Sequence, residues 1–150
     1  MTKNTIAIAS DHGGFELKQS LSDYLRKLGA VIIDLGTNST ESVDYPDYGF
    51  EMGKWIAENP EGKGILICGS GIGISIAANR NMAVRAAVCH DGLSARLSRN
   101  HNDANVLCLG ARLIGVETAK DCVNNFINSD FEGGRHASRV EKLSNFVKKE

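Results

Sequence analysis

Proline is scarce in this sequence, with only Pro46 and Pro60 among 150 residues. That excludes polyproline stretches, collagen-like repeats and long structureless linkers. No apolar run approaches the length of a membrane-spanning helix. The first thirty residues mix charges throughout and lack the uninterrupted apolar core of a signal peptide. A dominant charge is missing too: 17 basic against 18 acidic residues leave a net charge of −1 and a pI near 6.4. This argues against a broad nucleic-acid footprint or a polybasic membrane surface, so neither partner is expected. The four cysteines, Cys68, Cys89, Cys108 and Cys122, form no C-x-x-C pair. Such spacing fits reduced, mostly buried thiols in a cytoplasmic protein better than a disulfide frame or a zinc site. There is no internal repeat, low-complexity stretch or composition shift, so residues 1–150 read as one domain with a single core.

What the sequence does contain is an alternation of short apolar runs with longer amphipathic ones. Thr5–Ser10, Ala30–Leu35, Gly64–Cys68, Ala86–Cys89 and Asn105–Leu109 read as strands. They are continuously apolar, as expected of a parallel sheet covered on both faces. Helical stripes lie between them: Leu17, Leu21, Tyr24, Leu25 and Leu28; then Tyr48, Met52, Trp55 and Ile56; then Ile72, Ile76 and Ala77. Leu93, Ala95 and Leu97 suggest a fourth helix, Val116, Ala119, Val123, Phe126 and Ile127 a fifth, and Val140, Leu143 and Val147 a last one. The pattern predicts right-handed βαβ crossovers in an α/β three-layer sandwich with a five-stranded parallel sheet, Rossmann-like in class.

In such sheets ligands bind beyond the carboxyl ends of the strands. Asp11-His12-Gly13-Gly14 leaves the first strand and Cys68-Gly69-Ser70-Gly71-Ile72-Gly73 the third. His90-Asp91 leaves the fourth and Gly110-Ala111-Arg112 the fifth. The Gly69–Gly73 stretch resembles a dinucleotide fingerprint but fails on spacing, because isoleucine stands at 74 and at 76 where a third glycine is needed. No G-K-[ST] follows, which excludes a phosphate-binding P-loop. Two readings remain: a cradle for a small oxyanion, phosphate or enediolate, and a tight strand-to-helix turn without a ligand.

Cys68 tilts the balance toward the cradle. It ends an apolar strand just before a helix start, a setting that favours a thiolate able to act as base or nucleophile. The other three cysteines lack that neighbourhood and read as core. Ser70 is placed either to touch a substrate oxygen or to cap the helix. His12 and His101 lie in polar turns unsuited to core packing, whereas His90 and His136 are weaker candidates; no pair has metal-site spacing. Seven of the eight arginines fall in the second half, and Arg135 and Arg139 stand four apart. Two guanidiniums on one face suit a phosphate dianion, or else form a solvated face paired with Glu132 or Glu141. Arg112, at a strand exit, is harder to explain structurally.

The segments IASDHGGFELK, VDYPDYG, CGSGIGISIAANR, RAAVCHD, SARLSRNHNDANVLCLGARLIG and FEGGRHASRVEKL, in this order, resemble the ribose-5-phosphate isomerase B family. That group also contains allose- and galactose-6-phosphate isomerases. The resemblance runs from about residue 5 to residue 147. It implies interconversion of ribose 5-phosphate and ribulose 5-phosphate, a step of the non-oxidative pentose phosphate pathway, without metal or cofactor. On this sequence it assigns Cys68 as the base moving a proton between C2 and C1. The Gly69, Ser70, Gly71, Ile72 and Gly73 backbone, with the Ser70 hydroxyl, becomes the enediolate hole. His101 becomes the ring-opening acid, with Asn102 beside it as a substrate ligand. Asp11 and His12 meet sugar hydroxyls and the phosphate end, Tyr45 lines the pocket, and Arg112, Arg135 and Arg139 clamp the phosphate. A second branch of the family carries a glutamate where Ile74 stands here, so this chain resembles the cysteine-base branch.

One difficulty is geometric. His101 and Asn102 precede the fifth strand and should lie at the sheet edge opposite Cys68. A symmetric homodimer sharing its active sites, with a tetramer left open, would bring them across from the partner. The six-carbon phosphates are the nearest alternative substrates. Galactose-6-phosphate isomerases of this type divide their residues between two related chains, whereas the full set here favours a self-sufficient homomer. A non-catalytic phosphosugar-binding module and a nicotinamide-dependent dehydrogenase are the alternatives of other classes.

Overall fold

A computed structural model describes residues 4–146. Five strands, β1 (Thr5–Ser10), β2 (Val31–Asp34), β3 (Lys63–Cys68), β4 (Ala86–Val88) and β5 (Val106–Gly110), form one sheet in the order β2-β1-β3-β5-β4. Every pairing is parallel. The boundaries fall within two residues of the apolar runs.

Alternation along each strand divides the core into two layers. Ile6, Ile8, Ile65, Ile67, Leu107 and Leu109 pack with Leu21, Leu25, Ala95, Val123 and Phe126. These last come from α1 (Phe15–Lys27), α4 (Gly92–Asn102) and α5 (Val116–Asn128). Ala7, Ala9, Leu66, Cys68, Val106 and Cys108 meet Met52, Ile56, Ile74 and Ala78 of α2 (Tyr45–Glu58) and α3 (Ile72–Ala78). Both faces of the central strands are therefore dry, which is why their sequences are apolar without interruption. Each fully buried Leu, Ile or Phe contributes about 1.5–3 kcal/mol, and most of them sit on β1, β3, β5 and the helices covering those strands. A sixth helix, α6 (Ala137–Ser144), follows near the carboxyl end. Among the described residues no helix is long and apolar enough to cross a membrane.

Three helices present other faces than their apolar periodicity suggests. In α3, Ile74, Ala77 and Ala78 are buried, while Ile72 and Ile76 are about half exposed, at 52% and 51%. In α4 the buried positions are Gly92, Ala95, Ser98 and Arg99, with Leu93 exposed. Arg99 takes the inward place because its guanidinium finds the Asp103 carboxylate at 2.7 Å and the Ala104 carbonyl at 2.8 Å. Its Cζ also lies over the Phe126 ring, 5.9 Å from the centroid. In α6, Val140 is buried and Leu143 exposed, and Val147 lies outside the described residues.

The topology fixes where a ligand can enter. From β1 the chain passes over one face to β2, then crosses the other face to β3 on the opposite side of β1. Direction reverses between β1 and β3, and their carboxyl ends open a crevice. Asp11-His12-Gly13 and Cys68-Gly69-Ser70 leave the sheet at this switch point. A Cβ on Gly13 would stand 3.7 Å from the Gly69 amide nitrogen.

Candidate active site

Cys68 ends β3 facing the α2–α3 layer, and the chain turns through Gly69, Ser70 and Gly71 into α3. Gly71 has φ +77°, and a Cβ there would come within 2.9 Å of the Leu109 carbonyl carbon. Left-handed backbone pressed against a neighbouring strand admits only glycine. This conformation directs the Gly71 N–H to Cys68 Sγ at 3.1 Å, while the Ile72 N–H donates to Ser70 Oγ at 3.2 Å. A bond of the first kind strengthens when the sulfur is anionic. Gly71 is the N-cap of α3, the Ser70 hydroxyl accepts the first amide of that helix, and two cradle amides thus bond within the turn, one of them on the sulfur.

Four side chains surround the turn. Asp11 is buried, and its Oδ1 accepts the Gly14 N–H at 3.2 Å, closing a 3-10 turn over His12–Gly14. His12 Nδ1 lies 3.1 Å from the Val43 amide nitrogen and 3.2 Å from its carbonyl oxygen. With Nδ1 accepting the amide, the ring proton sits on Nε2 as a donor for an anionic ligand. That contact also pins the loop leading into α2, where Tyr45 packs its ring over Gly73 so closely that a Cβ would collide with it. Arg112 reaches over from the end of β5: its N–H donates to the Gly69 carbonyl at 3.0 Å. Its Cδ would stand 3.5 Å from a Cβ on Gly69. The chain therefore gathers Asp11, His12, Tyr45, Cys68, Gly69, Ser70, Gly71, Ile72, Gly73 and Arg112 at one crevice.

A supporting residue escaped the sequence reading. Lys18 is fully buried in α1, with its Nζ 2.6 and 2.8 Å from the Asp34 carboxylate at the end of β2. Asp34 Oδ1 in turn accepts the Gly36 N–H at 2.9 Å. Gly36 and Thr37 bond both ways to Ser10, at 2.8 Å each, immediately before Asp11. The ion pair braces the loop that flanks the crevice. A lysine on an amphipathic helix reads as solvent-facing, and its partner sixteen residues away leaves no spacing signal.

His101, Asn102, Arg135 and Arg139 lie elsewhere. Asp91 Oδ1 caps α4 by accepting the Ser94 N–H at 2.6 Å, and the helix then carries the chain back to the amino edge of the sheet. Cys68 pairs with Gly110 at the far end of β5, whereas His101 precedes Val106 at its near end. The four intervening steps of strand correspond to about 13 Å. Asn102, Arg135 and Arg139 are exposed there. The His101 ring stacks on His136 with centroids 4.4 Å apart and planes 16° from parallel. Its Nε2 lies 3.5 Å from Glu132 Oε1. His136, a weaker candidate by sequence, is therefore the nearest aromatic neighbour of a stronger one.

The remaining thiols are core. Burial raises Cys108 well above the ordinary thiol range and Cys89 to a lesser extent. Burial, with nearby anionic groups adding to it, pushes Cys122 up to about 12. None of the three lies at the crevice.

A profile of the ribose/galactose isomerase family matches residues 6–143. Ribose-5-phosphate isomerase B of Escherichia coli strain K12 is 47% identical over 139 residues, covering 93% of each chain. The solved ribose 5-phosphate isomerase of Thermotoga maritima superposes with a TM-score of 0.92 at 49% identity, covering 95% of this chain and 98% of that one. Ribose-5-phosphate isomerase B from Mycoplasma genitalium, solved with bound ribulose-5-phosphate, gives a TM-score of 0.90 at 39% identity, covering 93% of both chains. A sheet of this order, a glycine turn carrying a cysteine at its switch point, and matches across nearly the whole length agree: the chain belongs to the ribose/galactose isomerase family.

Proposed function

We propose that the chain is an aldose–ketose isomerase that interconverts D-ribose 5-phosphate and D-ribulose 5-phosphate through an enediolate. The observation that carries the reading is the Cys68 thiol, held by the Gly71 amide inside the switch-point crevice of a chain of this family. Cys68, as thiolate, removes the C2 proton of the open-chain aldose, and negative charge passes to the C1 oxygen. Amides of the Gly69–Gly73 turn, Ser70 and Ile72 included, stabilise that charge. After a proton moves between the two oxygens, Cys68 returns its proton to C1 and the ketose forms. Asp11 and His12 hold sugar hydroxyls and the phosphate end, Tyr45 walls the pocket over Gly73, and Arg112 stands beside the turn for the phosphate.

Ribose 5-phosphate enters largely as a furanose. His101 gives a proton to the ring oxygen as the C1–O bond opens and the C1 hydroxyl releases its own, with Asn102 as a further substrate ligand. Arg135 and Arg139 complete the phosphate clamp, whose binding energy holds the reacting end in register. These four lie a sheet-length from Cys68 in their own protomer, so the reading requires a homodimer in which each supplies them to its partner's crevice. Its support is the half-exposed apolar pair Ile72 and Ile76, beginning at the rim of the crevice, with Met82 at 48% four residues after the end of α3. A soluble cytoplasmic enzyme of carbohydrate metabolism follows from the same reading.

Mixing separates the alternatives. Cys68→Ala and His101→Ala should each be inactive on ribose 5-phosphate while still binding a phosphosugar. After subunit exchange at equal amounts, half the dimers are hybrids with one intact site, so about a quarter of wild-type activity should return. No recovery, with exchange shown independently, would sink the shared site. Turnover of allose 6-phosphate or galactose 6-phosphate alone would leave the chemistry and change the substrate. Binding without any turnover would leave a phosphosugar-binding module.

A further inference from the structure

The amino-edge patch contains two groups to which the scheme above gives no part, Glu132 and His136. Their placement is set by backbone. Arg99 Nε donates to the Ser129 carbonyl at 3.2 Å, Asn100 Nδ2 to the Asp130 carbonyl at 2.8 Å, and the Glu132 N–H to the Asn100 carbonyl at 3.0 Å. Residues 129–132 are thereby laced to the last turn of α4, and Glu132 is delivered beside His101 without relying on side-chain attraction. That attraction alone would be weak, since the two side chains are 36% and 54% exposed. The chain then reverses through Gly133 and Gly134, with φ of +67° and +54°, conformations that disfavour a side chain. The reversal lays His136 flat on His101.

His136 offers a ring face to His101. Partial removal from solvent, the neighbouring His101 and the Arg135 guanidinium hold its imidazole below the ordinary range, with Glu132 acting against them. Its Nε2 faces Arg135 Nε at 3.5 Å. The donor atoms of His101, Glu132 and His136 lie within 4.8 Å of one another, close enough to suggest a cation site. The guanidinium against Nε2 and the parallel rings argue instead for an arrangement that orients His101.

We propose that Glu132 and His136 are positioning residues for His101. Glu132, its carboxylate 3.5 Å from Nε2, holds that edge of the ring and leaves Nδ1–H for the sugar's ring oxygen, and His136 fixes the plane of the imidazole. The inference rests on His101 being the ring-opening acid, and it confines the effect of both residues to substrate that must open a ring.

Two reactions of one enzyme separate that step from the rest. Ketose formation from ribose 5-phosphate needs ring opening. Exchange of the C1 hydrogen of ribulose 5-phosphate with deuterium from heavy water needs only the enediolate, because this ketose, phosphorylated at O5, is acyclic. Glu132→Ala should lower kcat for ketose formation by about tenfold or more, within the range set by general-acid catalysis, with KM little changed. Exchange should stay within about twofold of wild type, which also reports an intact fold and dimer. Glu132→Gln keeps an acceptor oxygen and should recover part of the loss, and His136→Phe should outperform His136→Ala by keeping a flat face. His101→Ala is the control and should lose ketose formation while retaining exchange. If that control keeps ketose formation, the acid assignment fails. If it behaves as expected while Glu132→Ala changes neither reaction, or lowers both equally, the positioning role is overturned.

Discussion

The two edges of the sheet are built on opposite plans. At the carboxyl edge the crevice is mostly main chain: Gly71 lies against the Leu109 carbonyl, its amide on the Cys68 sulfur, and a buried Lys18–Asp34 pair braces the flanking loop. At the amino edge the groups proposed to act are side chains, namely His101, Glu132, Arg135, His136 and Arg139, on a surface open to water. A site made of backbone is as rigid as the fold and fails with it. A site made of exposed side chains can be stripped without disturbing the core, and it gains electrostatic strength only when something covers it.

The contrast is open to direct attack, beginning with the brace. Lys18→Met leaves Asp34, itself 28% exposed, without its partner, and should cost about 2–4 kcal/mol in denaturant unfolding. It should lower activity as well, through the loop at Gly36 and Thr37; a stable, fully active variant would show that the crevice does not lean on this pair. Next in size is Gly71→Ala, which forces a side chain into left-handed backbone and against β5. A loss of about 1–3 kcal/mol is expected, together with activity, since the amide moves off the sulfur. Loss of stability alone would detach the turn from the chemistry. Smallest in stability is Arg139→Ala at the other edge, where the melting curve should stay within about 0.5 kcal/mol of wild type. Its KM for ribose 5-phosphate should nonetheless rise, and an unchanged KM would remove this arginine from the phosphate clamp.

How much of this was legible in the sequence follows the same division. The central strands declared themselves because Ile6–Ala9, Ile65–Cys68 and Val106–Leu109 are apolar on both faces, a pattern that only a covered parallel sheet requires. The crevice was legible because its glycines and cysteine are contiguous in the chain. The helix faces were less so: Ile72, Ile76 and Leu93 look like core by type, yet they point outward, and Arg99 takes an inward place. Hydrophobicity marks a surface as one to be covered without saying by what. Lys18 and Asp34 were invisible since their meeting depends on how α1 lies against β2. The stacking of His136 on His101 was hidden for a similar reason, as it depends on a reversal at Gly133 and Gly134, far along the chain from α4.

The stretch of sheet between Cys68 and the amino edge has one further implication. In the proposed dimer a sugar phosphate is held by Cys68, His12 and Arg112 of one body and by His101, Arg135 and Arg139 of another. The distance between those grips is then set by how the two subunits dock rather than by the depth of a pocket wall. Such a site measures its substrate like a pair of calipers. Sliding the subunits past one another would change the length of sugar admitted without changing any residue that touches it, so substrate choice in this architecture can diverge through residues that never meet the substrate.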